Sequence, residues 1–220
     1  FETESKCKIQ NFKTVQLIPQ NDVIKTINND TQQNQLILGL ITGVFYRHKD
    51  CFPLVVAANI LGGGVTSRIF HKLVYELGIA YTVATYVWEF KDTGLFLISG
   101  GFSKETEKAI KIILEELTKL KSERVSDKEL NQIKEISKSN IYFYMETSDT
   151  MAHKYSAQYI TEKRILTPDE TAQYIEKVTA EEIQNVAKKY FTKQNLRLMI
   201  RGPSAKKFTK SFEKLLDDFS

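Results

Sequence analysis

Residues 61–81 read LGGGVTSRIFHKLVYELGIAY, and the fold turns on how this stretch is parsed. The run Gly62-Gly63-Gly64 cannot continue a helix cheaply, because glycine loses the most backbone entropy on being ordered. It marks a stop. Thr66 or Ser67 then offers a side-chain oxygen to the free N–H groups that open a new helix, which runs to about Leu77. Gly78 ends that helix, since glycine accepts the left-handed backbone. Ala80 to Phe90 is rich in β-branched and aromatic residues and reads as a strand. Tyr81 therefore falls at the start of a strand, directly after a tight turn. Such a position can hold a phenol rigidly at the mouth of a cleft, although on the residues alone a packing role is the expected one.

Upstream, Asp50 to Ile60 has helical character, with Pro53 in the first turn where a missing N–H costs little. Gln35 to Phe45 reads as a strand whose continuous apolar run suggests burial on both faces. Thr14 to Ile18 reads as a shorter strand. Downstream, Lys91-Asp92-Thr93-Gly94 is a hairpin turn and Leu95 to Phe102 the returning strand. Ser103 is placed to cap a helix reaching about Leu120, with Ile110, Ile113, Leu114 and Leu117 on one face. Ser126 and Glu129 have capping-box spacing ahead of a long helix, with Leu130, Ile133, Ile136, Ile141 and Tyr144 expected inward. Thr167-Pro168-Asp169-Glu170 combines cap, N1 proline and box glutamate, and Thr179 with Glu182 repeats the box. Leu196 to Ile200 is a last strand, and a short helix near Phe208 to Phe219 closes the chain. The order β-β-α-α-β-β-α-α-α-α-β-α, with hairpin-linked strands and helices in blocks, predicts an α+β fold. A two-layer sandwich follows: a mixed, mostly antiparallel sheet with helices on one face.

The chain-wide numbers bound the function classes. Two hundred and twenty residues, 42% hydrophobic and 26% charged, suit a soluble globular protein able to bury a core without staples. No Pro/Gly/Ser-rich linker divides the sequence, so residues 1–220 are read as a single domain. The longest apolar run, Leu36 to Ile41, is far short of a membrane span. The net charge is +4, but lysines alternate with acids along the predicted helices, which reads as solvated faces and not as a nucleic-acid surface. Cys7 and Cys51 are the only cysteines, which favours a reducing compartment such as the cytoplasm or the mitochondrial matrix. The chain opens on Phe1, not Met, which suggests a piece of a longer protein or a processed product.

The residues do not assemble a complete catalytic apparatus by spacing. His48, His71 and His153 are the only histidines, and neither H-E-x-x-H nor H-x-x-E-H occurs. His71 and Glu76, five apart, are expected on different sides of an α-helix. The glycine triplet lacks the preceding strand and the lysine of a phosphate loop, with Val65 in the lysine position. It reads as a tight corner between helices.

Residues 60–70, ILGGGVTSRIF, resemble the L-G-G-G-x-x-S-R-L-F signature of the second, zinc-free domain of pitrilysin/insulinase-type metallopeptidases. That family includes mitochondrial processing peptidase and the core subunits of respiratory complex III. The family's continuation, R-E-x-x-G-L-A-Y-S-V, is met by Val74 to Val83. Asp92 to Phe96 resembles the D-x-G-x-F hairpin, Ser126 to Leu130 a helix start, Val178 to Ile183 the V-T-x-E-D-I stretch, and Arg201-Gly202-Pro203 the closing x-G-P. The similarity runs in one order over residues 34–203.

The resemblance implies one half of a clam-shell chamber, paired with a second similar domain or subunit that carries H-x-x-E-H and the zinc. No cofactor is then expected in this chain. A family Arg and a Tyr seven positions later contact the peptide near the scissile bond. Tyr81 matches the Tyr, which implies a catalytic and substrate-binding contact to the carbonyl oxygen. The Arg position falls on Val74, which has nothing to donate. Arg68 belongs to the S-R-L-F part and is expected to be structural. Two functions compete: the substrate-side domain of a zinc endopeptidase, and a non-catalytic scaffold subunit of the same fold. An unrelated small-molecule-binding domain is a third.

Overall fold

The strand expected at Ala80 lies at one edge of a five-stranded sheet. In the computed structural model, residues 23–46, 48–203 and 205–219 are described. The strands are β1 (Ile24–Asn28), β2 (Asn34–Ile41), β3 (Ala80–Glu89), β4 (Gly94–Phe102) and β5 (Leu196–Gly202). Across the sheet they run β1-β5-β2-β4-β3. β1 is parallel to β5, and the other neighbours are antiparallel. The strand expected at Thr14 to Ile18 falls outside the described residues.

Burial alternates along the central strand. Leu36, Leu38 and Leu40 are fully buried, whereas Ile37 is 44% exposed. On β5, Leu196, Leu198 and Ile200 are buried and Met199 is exposed. The expectation that β2 is covered on both faces is therefore corrected. Its apolar run packs on helices with one set of side chains, while Gln35 and Ile37 share an open face with Met199, Arg201 and Trp88.

The covered face meets α1 (Cys51–Gly62), which is apolar nearly all round, with Leu54, Val56, Ala57, Ile60 and Leu61 buried. A helix apolar on all sides belongs in an interior. Here α1 touches β3 and also α4 (Asp127–Tyr144), α6 (Pro168–Lys177) and α7 (Ala180–Tyr190). The capping boxes at Thr167/Glu170 and Thr179/Glu182 both form. α3 (Thr106–Ser122) buries Ile110, Ile113, Leu114 and Leu117 as its 3.6-residue period predicts. α8 (Thr209–Asp217) closes over α3 and β1 through Phe212 and Leu216.

Three local expectations change. The α3 N-cap is Glu105, in a left-handed conformation at φ 51°, and not Ser103. The start is fixed from inside, where the Asn34 amide of β2 donates to the buried Thr106 hydroxyl at 3.2 Å. Tyr144 is 52% exposed and not inward. The chain breaks after it and restarts as a fifth helix in this block, α5 (Ser148–Glu162), capped by Thr147. That helix was absent from the expected order because its apolar residues are scattered around it, leaving no stripe to read.

Candidate functional site

Gly62, the last residue of α1, is pressed against β3. A Cβ there would lie 2.2 Å from Thr85 Oγ1 and 2.8 Å from Thr85 N. Only glycine permits this approach, so the triplet is the helix–helix corner the sequence suggested, set hard against the sheet. After the corner, α2 (Arg68–Phe70) runs straight into a π-helical segment, His71–Glu76. Leu77 N–H reaches back five residues to the Lys72 carbonyl at 3.1 Å.

The wider turn overturns one sequence expectation. His71 and Glu76, which an α-helix would separate, stand on one exposed face with Nδ1 3.2 Å from the carboxylate. Tyr75, 62% exposed, lies beside the His71 ring. A π-turn inserts one residue into a helix without changing its composition, so no periodicity signal announces it, although such turns concentrate at functional sites. Val74 points the other way and packs half-buried on the core.

Gly78 takes φ +57°, as a helix stop requires. Ile79 is buried, and its N–H donates to the Leu73 carbonyl at 3.0 Å. The sheet then starts with an irregularity: Ala80 pairs with Phe102 and Thr82 with Gly101, leaving Tyr81 as an extra, unpaired residue. Tyr81 is 82% exposed. A bulge of this kind re-aims a side chain while buried neighbours on either side, here Ala80 and Val83, fix the backbone.

Arg68 is committed elsewhere. Its Nε and Nη2 both donate to the Glu129 carboxylate at 2.6 Å, and Nη1 lies 3.9 Å from the buried Glu116. The Glu129 hydrogen bonds hold the guanidinium pKa above its usual value, with burial opposing them. The Ser126 hydroxyl does accept from Glu129 N–H, but the Glu129 side chain has left the expected capping box to clamp Arg68. The arginine joins α2 to α3 and α4, which is the structural role the sequence suggested.

The residues present do not fit a zinc ion. Among the described residues no three His, Cys, Asp or Glu side chains converge as a metal-holding group. His48 Nδ1 accepts from Asp50 N–H, His71 faces Glu76 alone, and His153 lies on α5. No helix among the described residues is long and apolar enough to cross a membrane.

Comparison with known proteins agrees with this fold and the motifs along it. A family model described as "Peptidase M16 inactive domain" matches residues 4–137. The chain is 28% identical over 180 residues to "Uncharacterized zinc protease YmxG" of Bacillus subtilis, covering 81% of this chain and 44% of that protein. It is 29% identical over 156 residues to mitochondrial-processing peptidase subunit alpha-2 of Dictyostelium discoideum, covering 66% and 34%. The chain thus spans less than half the length of these relatives. A chain in the structure of complex III2 from Candida albicans superposes with TM-score 0.78 at 13% identity, over 89% of this chain and 49% of that one. At that identity the likeness speaks for the fold alone. The resemblance read from the glycine corner onward and a family model spanning more than half the sequence agree: the chain belongs to the peptidase M16 inactive domain family.

Proposed function

We propose that this chain is the substrate-side, zinc-free domain of a zinc endopeptidase, working beside a second similar domain or subunit that holds the metal. The whole of residues 1–220 is read as one such domain. The observation that carries the reading is Tyr81: a phenol 82% exposed on a bulge whose backbone is fixed by buried Ile79, Ala80 and Val83. A surface tyrosine with no packing role is a poor use of so rigid a mount. Facing a second domain, its hydroxyl donates to the carbonyl oxygen of a bound peptide, where negative charge develops in the transition state. The open face of the sheet, with Ile37, Trp88 and Met199 uncovered, supports a neighbour on that side. A compartment such as the mitochondrial matrix or the cytoplasm suits the likeness to a processing-peptidase subunit.

The test is steady-state kinetics on the chain assembled with its zinc-bearing half. Tyr81→Phe should lower turnover about 10²-fold, the loss expected for one such donor. The melting temperature should stay unchanged, since only an exposed hydroxyl is removed. Unchanged turnover with the zinc site intact removes Tyr81 from the reaction.

Val74 favours a second reading, a non-catalytic scaffold of the same fold. Its side chain is apolar and half-buried, so the second donor usual in the family is missing. An assembled complex that hydrolyses no peptide, with or without Val74→Arg, decides for the scaffold.

A further inference from the structure

At the opposite end of β3 from Tyr81, two adjoining clefts of 380 and 360 Å³ open between α5 and the layer formed by α1, α4 and α6. Tyr46, Glu89, Tyr144 and Lys154 line both. The larger cleft is otherwise mainly apolar, walled by Phe52, Val55, Ile141 and Ile175. One wall of the smaller is α5, which Gln158 helps to tie down: it donates to the Tyr46 hydroxyl at 2.8 Å and accepts from Leu166 N–H at 2.9 Å.

Glu89 and Lys154 face this shared space without joining. No ion pair links them, and the carboxylate's side-chain partner is the buried Cys51 thiol, at 3.4 Å, a weak donor. The Lys154 ammonium makes no hydrogen bond or ion pair to any described residue and lies 5.7 Å from the centre of the Tyr144 ring. Burial pushes the Glu89 carboxyl up and outweighs the Cys51 thiol, Glu89's own backbone N–H and Lys154, which all oppose it. Burial pulls the Lys154 amine down, with Glu89 opposing. An acid and a base, both partly desolvated and both under-compensated, look into one cleft with an apolar floor. A simple cation or anion would satisfy one and leave the other costly. A zwitterion satisfies both.

We propose that this cleft binds a free apolar α-amino acid, with its ammonium on Glu89, its carboxylate on Lys154 and its side chain among Phe52, Val55, Ile141 and Ile175. The volume is at the low end of small-molecule sites, which suits a ligand of this size. The site stands independently of the peptidase reading, because it uses neither Tyr81 nor a second domain.

Titration calorimetry on the full chain tests it, with L-leucine, L-methionine and L-phenylalanine as ligands and the N-acetyl and amide derivatives of each. At least one free amino acid should bind with one-to-one stoichiometry, and blocking either its amine or its carboxylate should weaken binding by about tenfold or more. Glu89→Gln should weaken the free amino acid and erase the penalty of N-acetylation. Lys154→Met should do the same for the amide. The ligand comparison on the unmutated protein stands whether or not the variants fold. No saturable heat from any of the three up to about 10 mM, well past millimolar affinity, overturns the proposal. Equal binding of free and blocked forms overturns it too, since the charges would then be idle.

Discussion

Gly62→Ala asks whether the corner between α1 and β3 is as tight as it looks. The added methyl would sit 2.2 Å from Thr85 Oγ1, 2.8 Å from Thr85 N and 3.0 Å from Thr85 Cβ. The Thr85 side chain is 5% exposed and cannot swing out, and its N–H belongs to a strand. Helix and sheet must therefore part by several tenths of an ångström. Overpacking of this kind costs about 1–3 kcal/mol, against which alanine recovers roughly 0.5–1 kcal/mol of backbone entropy and helix propensity. The 2.2 Å contact puts the cost in the upper part of that range, about 2–3 kcal/mol, so a net loss of about 1–2.5 kcal/mol lowers the melting temperature by roughly 2–10 °C for a chain of this size. Thr85 Oγ1 is also buried without a hydrogen-bond partner. Adding Thr85→Ala should thus return part of the loss, while the backbone nitrogen contact keeps the rest. Gly64→Ala is the control, because nothing lies within 4 Å of a Cβ there. Thermal unfolding followed by circular dichroism reads all four proteins. Gly62→Ala melting at or above the parent temperature would refute the argument.

Other outcomes follow from the same geometry. Arg68→Met removes the bidentate pair with Glu129 and one of the cations near the buried Glu116, which keeps Lys119 at 2.7 Å, so it should destabilise by about 1–3 kcal/mol, between the values for exposed and buried pairs; denaturant unfolding measures it, and no loss would show the clamp to be idle. The Asp50 carboxylate is raised by burial, but hydrogen bonds from Lys189 at 2.8 Å and Tyr190 at 2.7 Å outweigh this and lower it overall. A carboxyl whose folded pKa lies below its unfolded value contributes stability above about pH 4, and that contribution is lost as pH falls through the folded value. Asp50→Asn should therefore be less stable at neutral pH and should lose less on acidification than the parent, as melting curves from pH 7 down to about pH 2 would show.

How much could be read beforehand depended on whether a feature writes itself into spacing. The capping boxes at Thr167 and Thr179, the α3 stripe and the Gly78 stop are local chemistry, and all appeared where expected. Tyr81 was reached through family likeness; the bulge that mounts it depends on its pairing with β4, which a single strand cannot reveal. The open face of β2 was hidden for a similar reason. Leu36 to Ile41 is apolar throughout, and only the placement of the helices decides which residues are covered. The meeting of Glu89, Cys51 and Lys154 joins residues from β3, α1 and α5, and no sequence interval encodes it. Glu129 shows the converse failure, where a correct local pattern lost its side chain to a long-range partner, Arg68.

The parallel pairing of β1 with β5 sets a schedule. Among the described residues β1 is bonded in the sheet to β5 alone, and β5 is inserted between β1 and β2. During synthesis β5 follows its neighbour β1 by on the order of 170 residues, roughly 10–35 s at ordinary elongation rates. Until then β2, β4 and β3 can assemble in that order as an antiparallel three-strand unit with α1 and the corner against them, while β1 lacks its β5 partner. Pairing of β1 with β5 is then a late, non-local step of the kind that slows folding. Nascent chains halted before Leu196 should hold β1 open to proteolysis while the unit formed by β2 and the β3–β4 hairpin is already protected.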